Sequence, residues 1–151
     1  MTDITITIDK ATVFATVESL LWKYGNAIEG AENYKQVFNV QSEHGADAVD
    51  NQVLSDAFGK RAREAVHSLR DFIIGSVSYS GGNVSVTLSM PSRWGGEASL
   101  LNAAVLRYVE DGIMVDWLYA TAPSEAAVYA ARLPQDETDI KVELYAKKTP
   151  Q

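Results

Sequence analysis

Residues 50–90 change period once, and that change governs what the chain can become. From about Asp50 to Ile74, the apolar residues Leu54, Phe58, Ala62, Ala65, Leu69, Phe72 and Ile73 mark one stripe of a helix. Asp56, Lys60, Arg61, Arg63, Glu64, Arg70 and Asp71 mostly take its remaining surface. The period then falls to two. Val77 and Tyr79 alternate with serines, and Val84, Val86 and Leu88 alternate with Ser85, Thr87 and Ser89. Ser80-Gly81-Gly82-Asn83 between them has the glycines of a tight turn, so residues 76–90 predict a β-hairpin. Pro91 ends the second strand because it has no amide to donate.

The rest of the chain repeats this mixture. Ile4 to Ile8 alternates apolar and polar residues and predicts a short strand. Asp9 is a helix N-cap, followed by Val13, Phe14, Val17, Leu20, Leu21 and Tyr24 on one stripe that stops at Gly25 and Asn26. Residues 26–50 predict a long connection with one helical turn near Glu32 to Phe38. A loop of that length is often a binding or assembly segment. Helices are predicted over about Glu97 to Tyr119, where Gly112 weakens the middle, and from Pro123 to about Leu133. Asp139 to Lys148 fits a strand or a helix equally well. The expected fold is α+β and mainly helical: about four helices, a hairpin, and a terminal strand or arm, in one domain spanning 1–151.

Composition narrows the function classes. The chain has 151 residues, 46% of them hydrophobic and 22% charged, which suits a folded domain with a substantial core. It has no cysteine, hence no disulfide or thiolate metal site. Its net charge of −7 argues against a nucleic-acid binder, which needs a basic face. No segment predicts a membrane span, and no secretory signal is expected.

Residue constellations that could carry chemistry are few. Glu64, His67 and Asp71 share a helix, but a Glu-x-x-His pair is only half of a di-iron site and no second pair exists. A hydrated, ion-paired helix face is the better reading, and a small metal-binding or enzymatic domain is the weaker alternative. Asp111 and Asp116 flank Gly112 and are noted as carboxylates able to do acid–base work only if their environments differ. Gly81-Gly82 and Gly95-Gly96 lack phosphate-loop and dinucleotide patterns. No catalytic, cofactor-binding or metal-binding residue is assigned, and no enzyme activity or cofactor is expected. Trp22, Trp94 and Trp117 are core or interface anchors. Met90-Pro91-Ser92-Arg93-Trp94 is the most distinctive stretch. It is either a packed corner or a contact in which Arg93 holds a neighbour's carboxylate.

The run from Val84 to Trp94 resembles a signature of small structural proteins of tailed phages and prophages of Bacteroides-like bacteria. The similarity continues through Val115-Asp116-Trp117-Leu118-Tyr119, then Glu125-Ala126 and Tyr129. It closes with Asp139, Ile140, Leu144, Tyr145, Lys147, Lys148 and Pro150. It covers residues 84–150, and the first half only in layout. Trp94 stands where the family pattern has phenylalanine. Leu133-Pro134 interrupts a segment that the family keeps helical, so residues 135–151 are read as an arm reaching another subunit.

The resemblance implies a virion protein assembled in the bacterial cytoplasm: a head–tail connector or neck adaptor, ring-forming, between portal and tail. The alternatives are a tail-completion or terminator protein, or a small non-viral protein-binding module. The implied partners are further copies of the chain, portal and tail or neck proteins, and passing DNA without sequence-specific binding. An acidic ring would not trap passing phosphates. The candidate interface residues are Arg93, Trp94, Trp117, Tyr145, Lys147 and Lys148. The hairpin and both termini are the expected arms, with Ile4 to Ile8 able to extend a neighbour's sheet.

Overall fold

A computed structural model describes residues 2–27, 52–80 and 83–148. The expected α+β, mainly helical class is what it shows. Strand β1 (Thr2–Ile8) leads into α1 (Lys10–Ala27), and α2 (Gln52–Ser68) runs through a 3-10 turn (Arg70–Phe72) into β2 (Ile73–Ser80) and β3 (Asn83–Met90). Helices α3 (Ala98–Thr121), α4 (Pro123–Ala130) and α5 (Leu133–Leu144) follow. The expected connection over 26–50, with its turn near Glu32 to Phe38, lies almost entirely outside the described residues. So do His44 and the Trp22 side chain.

The three strands form one antiparallel sheet in the order β1-β3-β2. Register follows side-chain alternation. Ile4, Ile6 and Ile8 stand opposite Leu88, Val86 and Val84, and all six are buried. Asp3, Thr5 and Thr7 stand opposite Ser89, Thr87 and Ser85 on the polar face. The strand expected to reach a neighbour is therefore paired along its whole length with β3 of the same chain. A slip by one residue would move its isoleucines out of the core.

Strand β2 starts earlier than its sequence predicts. Ile73 and Ile74, read as the end of the helix, are its first residues, because the 3-10 turn stops the helical path at Ser68. Ile74 pairs with Thr87 and Ser78 with Ser85, so Gly75, Ser76 and Val77 bulge opposite Val86 alone. Gly75 carries the positive φ of 73° that this bulge uses.

Local sequence explains the joints. The Asp9 carboxylate accepts from the Ala11 amide at 3.2 Å and the Thr12 hydroxyl at 2.8 Å, as its N-cap position requires. Asn83 adds an acceptor for the Lys10 amide at 3.0 Å, tying the hairpin to the start of α1. The Thr7 amide donates to Asn102 at 2.8 Å, tying β1 to α3.

Helix α3 is the axis of the molecule. It packs against β1, α1, α2, α4 and α5, and residues 111–114 are buried in succession. Its apolar C-terminal half is thus covered in large part by the chain's own elements. Phe14 of α1 meets Phe58 of α2 edge-to-face, with centroids 5.8 Å apart, beside this core.

Pro134 does not end structure. It occupies the first turn of α5, where its missing amide costs nothing. The ambiguous segment from Asp139 is helical to Leu144, and Ile140 and Leu144 are buried. Residues 135–148, expected to extend as an arm, lie against the body of the same chain. Two buried aliphatic side chains in one helix give that docking a substantial apolar gain.

Candidate functional site

Two polar regions stand out, a cationic strap at the C-terminal end and a charged cleft beside α2. The strap forms because Pro91 turns the chain after β3. The Trp94 amide donates to the Pro91 carbonyl at 2.9 Å, and the turned segment meets the residues after α5 in an antiparallel bridge, Trp94 opposite Lys147. The Gly95 amide donates to the Ala146 carbonyl at 2.9 Å, and the Lys148 amide to the Arg93 carbonyl at 2.7 Å. The Trp94 indole N–H donates to the Glu143 carbonyl at 2.8 Å while its ring packs against the core.

Glycine is needed for this approach. A Cβ on Gly95 would lie 2.7 Å from the Lys147 carbonyl carbon, and one on Gly96 2.6 Å from the Glu143 carbonyl oxygen. The two glycines that lack any phosphate pattern are there for backbone contact.

The bridge gathers residues about fifty positions apart. Arg93 lies directly across from Lys148, and both are exposed, as is Lys147. None of the three makes an ion pair among the described residues. Tyr145 is 52% exposed. Its ring meets Phe72 edge-to-face at 5.5 Å and its hydroxyl lies 3.4 Å from Asp71 Oδ2. Five of the six candidate interface residues thus fall on or next to one strap. Trp117 does not. It sits 19 residues into α3, about 29 Å along the axis by helical rise, partly buried against the core.

The second region is a cleft of about 510 Å³ between α2, α3 and α5. Lys60, Arg63, Glu64, His67 and Ser68 line it from one stripe of α2, Tyr108 from α3 and Glu137 from α5. Lys60, Glu64 and Tyr108 of this lining join an ordered ion network. Arg61 Nε and Nη2 hold the Asp116 carboxylate at 2.9 and 2.8 Å, a two-pronged clamp. Arg61 Nη1 reaches Glu64 Oε1 at 3.4 Å, and the Tyr108 hydroxyl donates to Glu64 Oε2 at 3.1 Å. Lys60 Nζ lies 3.7 Å from Asp116.

Burial opposes the Arg61 charge, but Asp116, then Glu64, outweigh it and hold its pKa above the usual value. Burial, then Glu64, push the Tyr108 hydroxyl up to about 12. Gly112 exists for this network: a Cβ there would lie 2.4 Å from Arg61 Cδ. It does not loosen α3 but lets a guanidinium stem lie against it.

Glu64 and His67 share the cleft, but Asp71 does not. It belongs to the 3-10 turn and faces Tyr145. Among the described residues no group of three or more carboxylates and imidazoles is placed to hold a metal ion. Asp111 and Asp116 also part company. Asp116 faces Arg61, whereas Asp111 lies beside Asp136 of α5.

Those two carboxyls are 7% and 4% exposed, and Asp136 Oδ2 has no partner. Burial, then the neighbouring Asp111 carboxyl, push Asp136 up to about 7. Glu110 on the same helix is also raised to about 7, mainly by burial. Arg107 and a hydrogen bond from Thr16 oppose that rise and Asp136 adds to it. Asp111 is legible as a candidate from sequence and Asp136 is not, because their juxtaposition depends on how α5 returns onto α3.

Among the described residues, no helix is long and apolar enough to cross a membrane. No protein-family model, curated protein or solved structure matches the chain.

Proposed function

We propose that this protein is a non-enzymatic assembly subunit whose strap binds an acidic surface on the next copy of itself. In its specific form it is a virion protein of a tailed phage, an adaptor ring between portal and tail. The observation that carries the reading is Arg93 directly across a bridge from Lys148, with Lys147 beside them. Like charges placed opposite each other across paired strands are unfavourable. A chain of net charge −7 that gathers three unpaired cations at one end has both halves of a complementary contact.

Such a contact joins one patch to a different patch, so it is heterologous, and heterologous contacts close into rings when the rotation permits. Interfacial complementarity of this kind sets register and association rate more than raw affinity. Tyr145 and the docked corner at Trp94 add rigid, amphipathic contact area beside the cations. The phage role rests on the resemblance over residues 84–150, and the physical features here are compatible with it.

Sedimentation of the purified chain at low and high salt tests the assembly reading. A discrete oligomer that dissociates as salt screens the strap is expected. A monomer at every concentration in low salt refutes self-assembly through this surface. Docking of the chain onto a purified portal assembly tests the narrower role.

A further inference from the structure

The cleft beside α2 shares no residue with the strap, and it is built more carefully than a solvated helix face requires. Its α2 wall carries no free carboxylate. Glu64 has one oxygen on Arg61 and the other on the Tyr108 hydroxyl, and Arg61 is itself locked on Asp116. The space for that lock comes from Gly112 in the middle of the central helix, a position where glycine is less favourable than alanine. With Glu64 neutralised, the charges facing the cleft are cationic on the α2 wall. Arg63 and His67 are exposed, and their side chains have no partner among the described residues. Lys60 is 59% exposed and only loosely paired with Asp116. The opposite wall carries Glu137, exposed and likewise without a hydrogen-bond partner among the described residues.

We propose that this cleft binds a small hydroxylated anion, its phosphate or carboxylate group on Arg63 and His67 and its hydroxyls on Glu137. The volume of about 510 Å³ falls within the range of small-molecule sites. Arginine with a neighbouring imidazole suits an oxyanion, because the guanidinium donates charge-assisted hydrogen bonds and an imidazole N–H donates a further one. A carboxylate on the facing wall repels a bare anion but accepts hydroxyl donors. The site therefore prefers a hydroxylated ester over the free anion, which is specificity through a repulsive element. The fixed Glu64–Tyr108 pair supplies a rigid base between the two walls.

The test is a titration of the full chain, at constant ionic strength, with glycerol 3-phosphate and separately with inorganic phosphate. The readout is the ring signals of His67, identified by their absence in His67→Gln. Saturable shifts are expected, with glycerol 3-phosphate binding about tenfold more tightly than phosphate. Arg63→Gln is expected to weaken binding about tenfold, the size of one lost charge-assisted hydrogen bond. Glu137→Gln is expected to remove the preference for the ester. All three positions are exposed, and unchanged circular dichroism confirms that the variants fold. Shifts that do not saturate, equal affinity for the two anions, or unaltered binding by Arg63→Gln would each overturn the proposal. None of these outcomes bears on the strap, whose test is oligomeric state.

Discussion

On its α2 side, helix α3 meets Arg61 with Asp116. On its α5 side, it meets Asp136 with Asp111. The first seam joins opposite charges through a two-pronged clamp. The second sets two buried carboxyls against each other, and burial with the neighbouring Asp111 raises the Asp136 pKa to about 7. One helix therefore uses two ways of burying polar groups. The clamp needs space, supplied by Gly112. The acid pair needs no space but depends on pH. Burial near one core does not fix the behaviour of a carboxylate; the group across the seam does.

The largest effect is expected from breaking the clamp. Arg61→Ala leaves Asp116 and Glu64 without their main partner and should cost about 2–3 kcal/mol, less than a fully buried pair because Asp116 keeps some exposure. Gly112→Ala should also destabilise wild type, since its Cβ would meet the pinned Arg61 stem. In an Arg61→Ala background the same change should stabilise by about 1 kcal/mol, the helix propensity gain. A urea-unfolding cycle over the four proteins reads this sign reversal. Additive costs would show that the glycine serves something else.

The acid seam sharpens the contrast through pH. Asp136 has a folded pKa near 7 against an ordinary carboxylate value, so the native state binds more protons between those limits. The stability these two groups contribute is fully present below about pH 4 and is lost as pH rises through 7, by on the order of 2–4 kcal/mol, as Asp136 and Glu110 must ionise in place. Asp136→Asn can donate an amide hydrogen bond to Asp111 without a proton. It should flatten that slope and exceed wild type at pH 8 in thermal melts. An unchanged slope in Asp136→Asn would remove the seam as its source.

A smaller effect is expected at the strap. Trp94→Phe, the residue of the resembled pattern, keeps the ring and loses the bond to the Glu143 carbonyl. About 1 kcal/mol is expected. Faster hydrogen exchange at the Gly95 and Lys148 amides should accompany it, because these hold the bridge.

Much of the fold is legible from local rules. The alternation in 4–8 and 84–88, the Asp9 cap and the stripe from Leu54 to Leu69 each depend on neighbours a few residues away. The sequence is less informative where two distant segments choose each other. Ile73 and Ile74 continue a helical stripe in composition, but pairing with Leu88 and Thr87 makes them strand. Asp139 to Leu144 fits either period, and burial against α3 decides for helix. The strap is the clearest case. Arg93 and Lys148 carry no mutual signal, since their meeting needs the Pro91 turn, the Gly95-Gly96 approach and the return of α5. Gly112 reads as a weak point until the Arg61 stem beside it is seen.

The assembly claim is tested most directly by the solution mass of the Arg93→Glu/Lys147→Glu/Lys148→Glu variant beside wild type, measured by light scattering across a concentration series. These exposed positions should change stability by no more than about 0.5 kcal/mol. Wild type is expected to give a discrete oligomer and the variant a folded monomer with the same melting temperature. An oligomer that survives reversal of all three charges, or a wild type that stays monomeric throughout, would contradict assembly through the strap.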